Sequence, residues 1–480
     1  MKVAIAYPPV KSEKGVALLT QNRQFQWFSR PTYIFPVVPA TAATMLKKAG
    51  HEVLFLDGIA AELSGEEFMR RLAAFKPELV VLETKTPVVR RHWNWIKEHA
   101  GLAKTVLVGD HVTALPAESM ENCPVDYILT GGDWDFLLKN LVESGFDPAK
   151  FEPGIWYRES GETKNTGRFR LDHDLNTAPW IDRDLVSWRL YAVKNGNFRR
   201  TPGTYIMSGR DCWHAKCTFC SWTTLYPKYR TRNAIDVVDE IQMLVEKYGI
   251  KEIMDDSGSF PVGEWLKTFC NEMIARGLPK KVRIDCNMRF GRLGYEDYAL
   301  MRKAGFRLVL FGVESANQAT LDRFVKCIKV ADVENGAAWA TKAGLDVHLT
   351  FMFGHAWEDR DDVARTVRLA RKLLANGHAS TLQCTMTVPY PGTPLFNELK
   401  EKGGLTTLDW DEYDMRRQII KTPLVPEPEI KAAIREVYKG FLQPSALLHR
   451  FATTRNLFDF GFYWRGIKSL AGHLADFRSR

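Results

Sequence analysis

The sequence predicts an α/β protein in parts: a doubly wound parallel sheet over residues 1–150, a connector over 151–200, a second strand–helix alternation over 201–400, and a basic, helical end over 401–480. Two observations predict this. Short, mostly apolar runs recur along the chain and read as strands buried on both faces, with amphipathic stretches between them. A chain of 480 residues with 45% apolar composition also needs more than one core and leaves little room for disorder.

In the first part the strand candidates are Val3-Ala-Ile-Ala6, Val53-Leu-Phe-Leu56, Leu79-Val-Val-Leu82, Val106-Leu-Val108 and Tyr127-Ile-Leu129. Thr41–Gly50 between the first two reads as an amphipathic helix stopped by glycine. Polar or glycine residues follow the strands: Pro8-Pro9, Asp57-Gly58, Thr84-Lys-Thr86, Gly109-Asp-His111 and Gly131-Gly-Asp133. Ligands of open parallel sheets bind beyond the carboxyl ends of the strands. A flavodoxin-like domain is expected, with Thr84, Thr86, Gly109, His111, Gly131 and Gly132 on its binding rim.

The connector has mixed polarity and contains Thr177-Ala-Pro-Trp-Ile-Asp182. Six strands are then expected: Thr204–Ser208, Ile253-Met254, Val282–Ile284, Leu308–Phe311, Val347–Met352 and Gln383–Val388. That number suits a partial (β/α)6 barrel, whose chemistry sits at the C-terminal strand ends.

Charge and composition exclude several classes. No apolar run approaches the roughly 18–20 residues of a membrane-crossing helix. The first nine residues read as a buried strand and a turn, not a signal peptide. Eight cysteines without secretion signals point to a reducing cytoplasm. Residues 431–480 hold nine Lys/Arg against three Asp/Glu, so much of the net +9 is local and does not imply nucleic-acid binding. Within that end, Phe458-Asp-Phe-Gly-Phe-Tyr-Trp-Arg465 interleaves aromatics with positive charge. It suits either a cap over the barrel mouth or peripheral contact with an anionic membrane.

The densest chemistry lies in Gly209-Arg-Asp-Cys212-Trp-His-Ala-Lys-Cys217-Thr-Phe-Cys220. Three thiols within nine residues suit a soft metal centre, either zinc or iron–sulfur. Zinc usually takes four protein ligands, and no second Cys-x-x-Cys pair is present. A cubane on three cysteines leaves one iron open to a small molecule.

These residues resemble the radical SAM enzymes, whose cluster loop follows the first barrel strand with an aromatic just before the last cysteine. Phe219 fills that slot, although the first gap is one residue longer than the usual Cys-x3-Cys-x2-Cys. The domain order resembles the cobalamin-binding subclass, whose members often show a Pro-Pro turn and a glycine-rich fourth loop. The Asp-x-His-x-x-Gly signature of other cobalamin proteins is absent. The resemblance implies a [4Fe–4S] cluster on Cys212, Cys217 and Cys220, S-adenosylmethionine on its open iron, and cobalamin on the first domain. An N-terminal domain that keeps the fold but has lost the cofactor is the alternative.

Further motifs carry the same resemblance. Asp255 and Asp256, in Asp255-Asp-Ser-Gly258, stand where the family binds the methionine amine. Gly312-Val-Glu314-Ser315 resembles the family's Gly-x-Glu-Ser, which places Glu314 and Ser315 near the cofactor's polar groups. Gly354 stands where close approach to adenine is expected. His355 is a candidate proton donor, Tyr229-Arg-Thr-Arg232 is typical of the subclass, and Cys286 lies near a strand end. The implied activity is methylation of an unactivated carbon through a 5′-deoxyadenosyl radical and methylcobalamin. Radical cyclisation, rearrangement or ring contraction stays open, as does a non-catalytic corrinoid-binding regulator. A small-molecule or lipid-linked substrate and a reductant such as flavodoxin or ferredoxin are the implied partners.

Overall fold

The computed structural model describes residues 1–10, 12–19, 26–28, 32–195 and 198–453. Strands β1 (Lys2–Tyr7), β2 (Glu52–Asp57), β3 (Leu79–Glu83), β4 (Lys104–Val108) and β5 (Tyr127–Leu129) match the five expected runs. They pair in the order β2-β1-β3-β4-β5, all parallel. The chain crosses from one side of β1 to the other between β2 and β3, which opens a crevice beyond the carboxyl ends of β1 and β3.

Alternation explains why these runs are apolar throughout. Val3, Ile5 and Tyr7 of β1 face one core while Ala4 and Ala6 face another, and Leu79/Val81 against Val80/Leu82 repeat the division on β3. Fully burying a Val, Leu or Ile side chain is worth about 1.5–3 kcal/mol. A charge on either face of β1 or β3 would therefore be costly.

The sheet does not stop at residue 150. β6 (Ile155–Glu159) and β7 (Glu162–Asn165) extend it antiparallel beyond β5, so the first part of the expected connector belongs to the N-terminal sheet. All four residues of β7 are exposed. Such an edge strand leaves no apolar signature, which is why this stretch reads as a linker. The remainder of the connector binds the two halves: Arg183, wholly buried, donates to Thr204 Oγ1 at 2.8 Å and lies 4.3 Å over the Phe35 ring.

The second sheet contains β8 (Gly203–Ile206), β9 (Glu252–Asp255), β10 (Arg283–Met288), β11 (Phe306–Glu314), β12 (Asp346–Phe353) and β13 (Thr381–Met386). They pair in sequence order, all parallel, with helices between them. At the amino-terminal side Arg307 joins Glu252 (2.8 Å) and Asp285 (2.6 Å), a buried ion cluster far from the strand ends that carry chemistry. The core of the first sheet runs on into this one without a break.

The C-terminal region departs from the helical expectation. Residues 402–426 hold one short 3-10 turn, Trp410–Glu412, and form a strap along the N-terminal domain. Lys14 pairs with Asp414 at 2.5 Å and Arg90 with Asp409 at 2.6 Å. Helices Glu427–Lys439 and Pro444–Thr453 follow. The first packs beside the helix Arg360–Ala375, and Tyr438 Oη accepts from the Cys384 amide at 3.0 Å. The segment Phe458–Arg465 lies outside the described residues. Among the described residues no helix is long and apolar enough to cross a membrane.

Candidate functional site

At the rim of the first domain, Tyr7 Oη donates to Glu83 at 2.5 Å, and the buried Asp57 carboxylate caps its own turn at Ile59 and Ala60 while accepting from Tyr191 at 2.7 Å. Thr84 Oγ1 pairs with His92 Nδ1 at 2.7 Å. Gly109 (φ +121°) is obligatory, because a Cβ there would lie 2.1 Å from the Thr84 carbonyl oxygen. His111 is buried with both ring nitrogens engaged, Nδ1 by Thr86 Oγ1 at 3.2 Å and Nε2 by Glu118 at 3.1 Å. Trp410 of the strap closes the chain by donating to Glu118 at 2.9 Å.

The glycines of the β5 loop admit protein side chains. A Cβ on Gly131 would lie 2.4 Å from the Phe169 ring, and one on Gly132 would lie 1.9 Å from the Tyr226 ring. Tyr226 Oη also donates to the Gly132 carbonyl at 2.8 Å. The close approach expected of a cofactor at these glycines is made here by aromatics of the same chain.

The next residues lock the two domains together. Arg210, two positions before Cys212, donates to Asp133 (3.0 Å) and Asp135 (2.8 and 2.5 Å). Arg230 forks onto Asp133 at 2.6 and 2.7 Å, and His173 bridges Asp133 and Glu152 at 3.1 and 2.9 Å. Burial alone would raise Asp133, but His173, Arg210 and Arg230 hold it far below the usual carboxylate range. The hydrogen bond to Asp133 in turn raises His173.

The cysteine loop leaves β8 through Ser208 and returns along Arg230-Thr231, which pairs antiparallel with Gly209-Arg210. Its root is clamped by the β9 end. Asp255 accepts from the Ser208 amide (3.0 Å) and hydroxyl (2.5 Å) and from the Ser257 amide (3.0 Å). Gly209 N donates to Ser257 Oγ at 2.8 Å, and Gly258 N to Asp211 at 2.7 Å. Burial pushes the Asp255 carboxyl up against those hydrogen bonds. Asp255 is thereby committed to shaping the loop, while Asp256 ties its amide to the Ile206 carbonyl at 2.8 Å.

On the loop Cys217 is buried, Cys212 and Cys220 are half-buried, and none enters a disulfide. Arg289, at the end of β10, donates from Nη1 to Cys217 Sγ at 3.7 Å and from Nη2 to the Lys326 carbonyl. Lys326 is buried, pairs with Glu314 and stands 5.7 Å over the Phe219 ring. Burial raises the Cys217 thiol, while Lys326 and Arg289 favour its thiolate. Glu314 sits at the irregularity that ends β11, with φ +69°. A Cβ on Gly312 would fall 2.2 Å from Glu314 Oε1 and 2.7 Å from Lys326 Nζ, so the glycine makes room for this ion pair. Cys217, Phe219 and Glu314 are thus brought to one place by Arg289 and Lys326, two residues that no motif of the sequence marks. Ser315 is drawn elsewhere: it donates to Glu358 at 2.7 Å and fixes the following loop. A Cβ on Gly354 (φ +88°) would touch Ile430 alone among the described residues, at 3.6 Å. His355 is buried, bonded to Thr387 at 3.0 Å, and lowered by burial.

Among the described residues no three His, Cys, Asp or Glu side chains already stand as a metal cage. The fit to a bound group rests on other ground. Around the loop, Tyr229 Oη, Ser259 Oγ, Trp213 Nε1 and Arg289 Nε are buried without a hydrogen-bond partner among the described residues. Each such orphan costs roughly 1–3 kcal/mol. Their gathering beside three thiols fits an absent partner rich in acceptors, as an iron–sulfur cluster with a polar ligand is.

Residues 206–370 match the Radical SAM superfamily, from the end of β8 into the helix after β12. The match agrees with the family resemblance read from the cysteine loop. Over 472 residues the chain is 26% identical to an uncharacterised methyltransferase of Pyrococcus horikoshii, covering 93% of this chain and 94% of that one. Over 423 residues it is 27% identical to an anaerobic magnesium-protoporphyrin IX monomethyl ester cyclase of Cereibacter sphaeroides, covering 84% and 66%. In fold it resembles the radical S-adenosylmethionine methyltransferase TsrM from Kitasatospora setae, solved with cobalamin and a [4Fe-4S] cluster (TM-score 0.70, 17% identity, 99% of each chain). It also resembles the cobalamin-dependent S-adenosylmethionine radical enzyme OxsB (TM-score 0.70, 14% identity, 98% of this chain and 71% of that one).

Proposed function

We propose that this chain is a cobalamin-dependent radical SAM enzyme that methylates an unactivated carbon of a small-molecule or lipid-linked substrate. The observation that carries the reading is the thiol loop Cys212/Cys217/Cys220 at the carboxyl end of β8, inside a radical SAM domain and tied by Arg210 to a doubly wound domain. The three cysteines would hold the cluster, and a corrinoid would lie beyond the carboxyl ends of β1 and β3. When bound, the cluster supplies the electron that cleaves S-adenosylmethionine and the corrinoid carries the methyl group. This chain's residues do the rest. Asp255 and Ser257 fix the root of the loop, and Glu314 with Lys326 offers an ion pair to the polar part of S-adenosylmethionine. Both His111 nitrogens are spent within the chain, which agrees with a corrinoid held without that histidine.

A second reading, radical cyclisation, is favoured by the similarity to the anaerobic cyclase over 84% of the chain. The electron donor in either case would be a flavodoxin or ferredoxin. Anaerobic purification with iron, sulfide and corrinoid quantified on one sample tests the cofactor set. Assay of deoxyadenosine and product mass then separates the readings: a product heavier by one methylene supports methyl transfer. Corrinoid uptake that fails after reconstitution overturns the methylcobalamin route.

A further inference from the structure

We propose that Arg289 sets the reduction potential of the iron–sulfur cluster, an inference that rests on the cofactor assignment just made. The guanidinium is buried, and its hydrogen bonds go to the Cys217 sulfur and the Lys326 carbonyl. It lies over the Trp213 ring at 5.2 Å. None of these neighbours cancels the positive charge until Cys217 becomes a thiolate. The other buried cation of the site, Lys326, is in contact with the Glu314 carboxylate and contributes less net field. Arginine also keeps its proton at every working pH.

Reduction adds one electron from a low-potential donor and converts [4Fe–4S]2+ to [4Fe–4S]+, with no bond made or broken and no proton moved. The added negative charge is stabilised by a fixed cation in a low-dielectric site and by a hydrogen bond to a ligand sulfur. Arg289 therefore holds the potential up, within reach of a flavodoxin or ferredoxin. The unsatisfied Nε of Arg289 fits the same role, since a further acceptor completes the fork.

The test is an EPR-monitored potentiometric titration, with dithionite as reductant, of the reconstituted full-length protein and of R289Q, R289K and R292Q. The expected result for R289Q is a tenfold lower ratio of reduced to oxidised cluster at a fixed potential, equal to about 59 mV for one electron. R289K, which keeps the charge and gives up the fork, is expected between R289Q and the wild type. Arg292 is exposed and lies over the Trp213 ring at 5.4 Å, so R292Q is expected to titrate as the wild type. An R289Q protein with full iron content and an unmoved potential overturns the proposal. Where R289Q takes up no cluster, R289M, which also removes the charge, is titrated in its place, and a wild-type potential in it overturns the proposal. A wild-type protein that binds no iron and sulfide fails the cofactor assignment instead.

Discussion

The loop after β8 and the rim of the first sheet were both expected to bind cofactors, and they are built in opposite ways. Around the cysteines, polar atoms lie buried without partners among the described residues, and two cations stand beside a thiol and a carboxylate. On the rim, Thr84, Thr86 and His111 are bonded to His92 and Glu118 or to one another, while Gly131 and Gly132 are filled by Phe169 and Tyr226. Orphaned donors gather around the thiols, whereas of these rim groups only His92 Nε2 lacks a hydrogen-bond partner among the described residues. Chemistry carried by side chains leaves orphans when its ligand is absent. A rim that offers mostly backbone and shape leaves fewer.

The sharpest way to break this contrast is Cys217→Ala. It removes one of three thiols and the sulfur that Arg289 contacts, and iron and sulfide content together with deoxyadenosine formation are expected to fall to background. Retention of both would end the cluster reading. Next in size is Arg210→Met, which strands Asp135 in the domain interface while Asp133 keeps Arg230 and His173. Leaving a buried charge unpaired costs about 3–5 kcal/mol, and urea unfolding is expected to show a loss of that order.

The same network predicts a pH window. Asp133 has a depressed folded pKa, so its contribution is present above the unfolded value near 3.9 and is lost as pH falls through the folded value. His173 has a raised folded pKa, so its contribution is present below the unfolded value near 6.5 and fades as pH rises through the folded value. Stability should therefore decline on both sides of a plateau. H173Q is expected to flatten the alkaline side and, because His173 helps hold Asp133 low, to make the acid side shallower as well, measured as the unfolding midpoint across pH. An alkaline decline that survives H173Q assigns it to another group.

How much of this was legible in the sequence follows from the same physics. The strands of the first sheet are legible because both faces are buried, so Leu79–Leu82 is apolar without interruption. β7 is not, because all of Glu162–Asn165 faces water. The ligand set is legible because three thiols lie within nine residues. Arg289 meets Cys217 across 72 positions and Arg210 meets Asp133 across 77, and no local pattern records such pairings. Gly312, two residues before Glu314, is the nearest thing to a local signal, since it marks the space Lys326 fills. The strap over 402–426 is held by Trp410, Tyr413, Met415 and Ile419, buried in the core of the first sheet, with ion pairs beside them, and carries no period of its own.

The rim admits a finer test through steric fit. Gly132→Ala would set a methyl 1.9 Å from the Tyr226 ring, and overpacking of this kind costs about 1–3 kcal/mol. If the glycine serves protein packing, G132A lowers the unfolding midpoint and the double variant G132A/Y226A recovers part of the loss. If it serves the corrinoid, the double variant stays impaired in corrinoid uptake while its stability returns.

The smallest effect belongs to the strap. Trp410→Phe keeps a ring against His111, where the indole now stands 5.3 Å away, and deletes only the hydrogen bond to Glu118. A hydrogen bond of this kind contributes about 0.5–1.5 kcal/mol. Because His111 is held by Thr86 and Glu118 in any case, W410F is expected to lower the unfolding midpoint slightly and to leave corrinoid affinity unchanged. A marked loss of corrinoid in W410F at wild-type stability would mean that the strap reaches the ligand. The rim would then depend on the strap as well, and the contrast with the cysteine loop would narrow to the thiols alone.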